Sequence, residues 1–510
     1  MAAVTSTGGA IPEKGLVKGT NWWGAFVIGL AGTILVTGIA PYVVQGTGAL
    51  GIILMGVMTI AGCFLCLCLA ELATIWPDRT GGIPSFATES FRPLVGDKAA
   101  RHFGGTSGWA YWLGWFPVAP INVILTASYL AVLFNFSPGH TIDPVGTTWG
   151  TPIGITIVGV CFLLLLAIFV PAYLGIRLGA AFATVLGVLS MLPITAMIFL
   201  PFFKPGSLHW GNVAGFRTPP GVHVSPAFIA AWFFPILWNV IAMEAAACYV
   251  GECRGGARDA KIALTAEGIF GMFIYIATPL MFVAVLGLSL TTADPLTLYL
   301  SYTDKIFGHS SWERWFIGIP LVMALGLSVL NAIMGCGRSL YQAAEDGLLP
   351  RWFERKNKHG VPHYAMGFNV VCSALLVLLG SPVRIYIISN AGYLLSCTLA
   401  FGGYFVYRHL RPDVERPFRL PTFAKWGALG VFVIWTVIYF YGGWNSPNIV
   451  IGPGQGPGLY LLGLLIVTLY APLYWWRARQ DRRLAVTGAP VPAAVLSTDG
   501  ITDAEPPAAG

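Results

Sequence analysis

Apolar runs of about 20 residues, enough to cross a hydrocarbon core of about 30 Å, recur from near residue 23 to near residue 476. The pattern predicts twelve membrane-spanning helices, at about 23–44, 50–75, 106–136, 151–174, 179–203, 226–250, 260–290, 315–338, 361–380, 384–409, 425–443 and 457–476. The first run, Trp22 to Val44, follows a polar start that lacks a basic cluster and a small-residue cleavage site. It reads as a retained span and not a removed signal peptide. The segments 1–20 and 477–510 are polar or rich in Ala, Pro and Gly and are expected to be disordered tails. No stretch between them is long and polar enough for a soluble domain.

The positions of Lys and Arg orient these spans. With the N-terminus in the cytoplasm, 24 of the 29 basic residues fall in cytoplasmic segments, in groups such as Arg79–Arg101, Arg351–Lys358, Arg408–Lys425 and Arg477–Arg483. Only Lys204, Arg217, Lys305, Arg314 and Arg384 fall outside. An odd number of spans would break that alternation, so twelve spans and two cytoplasmic termini support each other. The expectation is a multi-pass protein of the cell membrane.

Composition agrees. Of 510 residues, 56% are apolar and 10% charged, and a soluble domain of this size would need far more charge to cover its surface. Mean hydropathy is +0.72. The net charge of +7 is spread over every cytoplasmic segment, whereas a nucleic-acid-binding surface gathers its charge on one face. Most of the nine cysteines lie in apolar runs. Cys66 and Cys68, two apart on a helix, point to different faces and read as packing, and the histidines form no cluster at metal spacing. No cofactor is expected. The run Gly452-Pro453-Gly454-Gln455-Gly456 follows no strand and lies between two spans, so it is not a dinucleotide loop.

Three carboxylates fall within spans: Glu71, Glu244 and Glu267. A charge at mid-bilayer costs roughly 2.5–3.5 kcal/mol on insertion scales, so such a group is kept neutral, is paired, or faces a polar cavity. Glu244 has no cationic neighbour in sequence. It reads as a cavity-lining or proton-carrying group, or else as a protonated packing donor. Glu71, near Arg79, reads as interfacial, and Glu267, near Arg258–Lys261, as a structural group on the cytoplasmic side.

The first and sixth spans both carry helix-breaking features. The first has Gly29, Gly32, Thr33, Thr37, Gly38 and Pro41; the sixth has Pro235, Trp238 and Asn239 just before Glu244. Interrupted helices at matching places in two halves point to a transporter's central site. Ordinary kinks with small-residue packing give the same pattern.

Four segments then carry a resemblance. AELATIWPDRTGG (70–82), LWNVIAMEAAACYVGE (237–252), RSLYQAAEDGLLPRWF (338–353) and RPDVERPFRLP (411–421) together resemble the amino acid–polyamine–organocation superfamily, over about residues 22–425. The resemblance implies two inverted five-helix repeats, 21–204 and 205–410, followed by two further helices in 411–476. It implies a secondary transporter working by alternating access, whose amino acid or amine sits between broken helices 1 and 6. The substrate carboxylate would meet free amides of the first helix, and its ammonium free carbonyls of the first and sixth, as half-helix dipoles favour. Carried over, Thr33, Thr37 and Gly38 flank the first break. Tyr111 and Gly114 face the pocket from the third helix, Trp238 is the aromatic gate, Ile241 a nearby backbone contact, and Glu244 the acidic, proton-linked residue.

The chain also departs from the pattern. Val36 replaces the first Gly of the family's Gly-Ser-Gly triplet. Ala332 stands where the arginine–agmatine type has a second stacking Trp, which argues against that cation. Ser190 stands where some proton-coupled members have Lys, so coupling through that lysine is not open to this chain. Proton symport, exchange against a counter-substrate, and uniport all stay open. Polyamine or amine-metabolite exchange and a transporter-like sensor or subunit are the rival readings. A membrane enzyme would need a metal or acid–base cluster that the sequence lacks, and oligomeric state is not legible.

Overall fold

The computed structural model describes residues 21–77, 82–174, 191, 194–248, 253–291, 293–309 and 312–486. Among these, nine helical stretches are long and apolar enough to cross a membrane, and Ile194–Phe203 and His363–Val377 are shorter apolar helices. In chain order the helices that frame the centre are α1 (Trp22–Thr33), α2 (Val36–Thr47), α3 (Leu50–Ile75), α4 (Ile83–Trp115), α5 (Val118–Phe134), α6 (Ile155–Leu174) and α7 (Pro226–Ile241). There follow α8 (Ala257–Leu286), α9 (Leu298–Phe307), α10 (Trp312–Glu345), α11 (His363–Val377), α12 (Pro382–Leu410), α13 (Ala424–Val437), α14 (Gly458–Thr468) and α15 (Tyr470–Val486). A small antiparallel pair, Thr141–Ile142 with Ile153–Gly154, closes the loop before α6, with Thr141 opposite Gly154. Arg384 at the head of α12 holds that loop through the carbonyls of Thr147 and Thr148 and the Thr151 hydroxyl.

Several expected spans differ in shape. The third begins far earlier: α4 starts at Ile83, bends at Gly96 (φ 76°), and is separated from α5 only by a turn at Phe116–Pro117. The eleventh runs from α13 through two π-helical turns to Ile451. The polar tail expected from residue 477 is helical as far as Val486. It is held there because Arg477, fully buried, pairs with Asp481 at 2.8 Å and with Glu354 and donates to the carbonyls of Ala344 and Leu349. Residues 487–510 and 1–20, like Ser190 and Arg79, lie outside the described residues.

Glu71 finds its charge partners far along the chain, on α12 and in the loop before α13. It is 1% exposed and sits at the centre of an ion-pair hub. Its carboxylate pairs with Arg408 at 3.2 Å and Arg416 at 3.1 Å and accepts from the Tyr404 hydroxyl at 2.9 Å and the Leu420 amide at 2.8 Å. Four donors on one carboxylate meet the condition for burying an ion pair, and the hub ties α3 to the end of α12 and to the loop before α13.

Candidate functional site

The interruption of the first span lies at Ile34–Leu35, earlier than Pro41, which stays inside α2. The break is a tight 3-10 turn: the amides of Thr37 and Gly38 donate to the carbonyls of Ile34 and Leu35, both at 3.0 Å. In this form, then, the two amides that the resemblance leaves free for a carboxylate are engaged. In the sixth span the α-helix survives Pro235 and gives way after Ile241 to a 3-10 helix, Ala242–Cys248, that carries Glu244.

The two breaks face each other. Gly32 lies directly against the Ala242 carbonyl, where any side chain would collide with backbone, so only glycine lets the two segments meet this closely. A buried tyrosine of α8 ties the junction together: the Tyr275 hydroxyl reaches the Asn239 carbonyl at 2.8 Å and the Gly32 carbonyl at 3.2 Å. Weakened α-helical bonding exposes carbonyls, and here one phenol takes up one from each helix.

Beside the junction lies an aromatic cluster. The Trp238 indole donates to the Gly114 carbonyl at 3.0 Å, and its ring packs 4.9 Å from Tyr386 and 6.4 Å from Tyr393. Tyr111 and Tyr393 both donate to one oxygen of Glu244, each at 2.8 Å, and the other carboxyl oxygen has no partner among the described residues. The indole of Trp115 lies 6.1 Å from both of those tyrosine rings. Trp238, Ile241 and Glu244 are at most 1% exposed, so the cluster is buried.

Of the sequence-expected site residues, Tyr111, Gly114, Trp238 and Glu244 are brought together in this cluster. Gly38, next to Thr37, reaches it through Tyr386, whose hydroxyl covers Gly38. The Thr37 hydroxyl donates to the Ile34 carbonyl at 2.8 Å, and the Thr33 hydroxyl, before the break, is buried without a partner among the described residues. Ile241 ends α7 at the switch into the 3-10 helix. Ala332 is buried in α10. The sequence reading missed Tyr275, Tyr386 and Tyr393. Tyr386 and Tyr393 stand seven residues apart on α12, one helical face, flanking Ser389, Asn390 and Gly392, and that polar stripe in a buried span was the available signal. Cys66 and Cys68 go to different neighbourhoods, the Cys66 thiol donating to the Met243 carbonyl at 3.3 Å.

The family model described as Amino acid permease matches residues 21–469. Similar proteins include Polyamine transporter PUT1 of Oryza sativa subsp. japonica, 23% identical over 70% of this chain and 60% of that protein. Branched-chain amino acid permease BcaP of Bacillus subtilis is 23% identical over 78% of this chain and 83% of its own length. An Arginine/agmatine antiporter of Chlamydia felis is 26% identical over 68% of this chain and 66% of its own length. The chain thus spans less than two thirds of the rice relative's length. With its apolar helices and a family pattern that runs through nearly all of them, this chain is a multi-pass membrane protein that belongs to the amino acid permease family.

Proposed function

We propose that this protein is a secondary transporter that moves amino acids or related amines across the cytoplasmic membrane by alternating access. In this reading twelve spans form two inverted five-helix units, 21–204 and 205–410, with two added helices in 411–476, and both ends of the chain are cytoplasmic. Thr33, Thr37, Gly38, Tyr111, Gly114, Trp238 and Ile241 surround the solute, and Glu244 is the proton-linked group. The observation that carries the reading is the meeting of the two helix breaks beside a buried aromatic–carboxyl cluster.

The chemistry follows from that geometry. Opening the 3-10 turn at Ile34–Leu35 would release the amides of Thr37 and Gly38 toward a carboxylate, at the positive end of α2. Parting of the breaks would free the Gly32 and Asn239 carbonyls for an ammonium, and Trp238 offers its face to the same cation. The Tyr111–Glu244–Tyr393 bonds then act as one seal and the Trp238–Gly114 bond as another. Alternating access requires them to break in turn, never together.

An amine exchanger is the second reading. It is favoured by the charge at the centre: Glu244 stands there, and α1, α2, α7 and the 3-10 segment contain no Lys or Arg.

Uptake by purified protein in liposomes tests the proposal against a radiolabelled panel of neutral and basic amino acids, diamines and polyamines. The expected result is saturable uptake or exchange of at least one of them over empty liposomes. Sealed, folded preparations that move none would sink it.

A further inference from the structure

Glu267, on α8, takes no part in the centre described above. We propose that it is a second proton-binding site, which when protonated locks the inner half of the first span to the 3-10 segment and gives up its proton as the cytoplasmic side opens. The proposal rests on the transporter reading and on the inside placement of α1.

The side chain is fully buried. One carboxyl oxygen accepts the Ala246 amide of the 3-10 segment at 2.9 Å, and the other has no partner among the described residues. On its other side the carboxyl lies over Gly29 of α1, where an added Cβ would come within 2.5 Å of it. The group is therefore wedged between the two pieces that must separate if the cytoplasmic side is to open.

Its electrostatic surroundings contain no cation among the described residues. Glu244 and Cys248 of the 3-10 segment, Cys66 of α3 and Tyr275 of α8 are near enough to interact with it electrostatically. The described residues of α1 include no titratable side chain. Lys261, six residues earlier on α8, sits over the Phe418 ring at 4.8 Å instead. A buried carboxylate with a single amide donor and another carboxyl nearby carries a desolvation cost that nothing around it offsets. The closed form therefore holds the proton on Glu267. When α1 withdraws, water enters, the carboxyl O–H breaks, and the proton passes to that water on the cytoplasmic side. The ionised group then opposes reclosure until it is protonated again.

Hydrogen–deuterium exchange of the full protein in lipid nanodiscs, corrected for the intrinsic effect of pH, tests this without any substrate. A failure of the transport reading would therefore not mimic a failure here. Segments 22–33 and 242–248 should exchange at least about tenfold faster at mildly alkaline than at mildly acid pH. Glu267→Gln should exchange slowly at both. Glu267→Asp, which keeps a titratable group, should keep a pH difference and serves as the variant to read if the Gln form does not fold. A wild type with no pH difference, a Gln variant that retains it, or an Asp variant that lacks it would each overturn the proposal.

Discussion

The Trp238 indole donates a hydrogen bond to the Gly114 carbonyl at 3.0 Å, and this joins the end of α7 to the end of α4 next to the turn that starts α5. A tryptophan 1% exposed and packed on two tyrosines is a structural wedge as well as a candidate solute contact. Both helices it joins stop being regular within a few residues of that bond, so the contact sits where the fold has least helical bonding to lose.

Two roles for Trp238 can be separated by choice of variant. Trp238→Ala should cost about 3–5 kcal/mol in lost packing and lower expression. Trp238→Phe keeps a ring but loses the bond to Gly114, and should fold while binding solute more weakly by roughly 0.5–2 kcal/mol. Titration of the best panel solute against both detergent-purified proteins checks this. Unchanged affinity in the Phe variant would return Trp238 to packing alone.

Glu244→Gln retains an acceptor oxygen for Tyr111 and Tyr393 and removes the titratable proton. The variant should fold and bind solute, and its uptake should no longer vary with pH. Uptake rates across mildly acid to mildly alkaline pH, with wild type alongside, are the measurement. Wild-type rate and wild-type pH dependence together would remove Glu244 from the mechanism.

How much of this was legible beforehand varies by residue. The long apolar helices were, though not a count of twelve, because a 30 Å apolar requirement leaves few ways to read 26 consecutive residues such as Leu50–Ile75. The meeting of Tyr111, Trp238 and Glu244 was anticipated through the resemblance, which turns all three toward one pocket. The true break points were not. Pro41 and Pro235 stay within helices, and the irregularity falls instead at Ile34–Leu35 and Ala242, where Gly32 lets two backbones touch. Nor were the pairings of Glu71 with Arg408 and Arg416, 337 and 345 positions away, because sequence proximity favours Arg79 and tertiary contacts are invisible to it.

Those pairings carry a stability prediction. Glu71→Ala leaves two arginines, each at most 6% exposed at the side chain, without their counter-charge. Breaking one side of a buried pair costs about 3–5 kcal/mol, and thermal unfolding in detergent should show a marked loss of stability. A melting temperature equal to wild type would mean that Arg408 and Arg416 find other partners.

Orientation can be read from labelling in sealed cells. Cysteines at His140 and Gly456, both exposed, should react with an impermeant thiol reagent from outside, and one at His359 should not. These positions avoid the positive-φ glycines nearby, Gly139, Gly360 and Gly454, where a side chain would strain the backbone. Reaction at His359 from outside would reverse the arrangement.

The central claim is that solute passes through the junction of the two broken spans, and Thr37, fully buried beside Gly38, lies on that path. The most direct measurement is the rate at which a small methanethiosulfonate reagent inactivates exchange by Thr37→Cys in proteoliposomes, with and without saturating solute. The account predicts inactivation faster than in wild type, which carries nine cysteines of its own, and clear slowing when solute is present. A Thr37→Cys protein that exchanges normally yet is modified no faster than wild type, or gains no protection from solute, would contradict it.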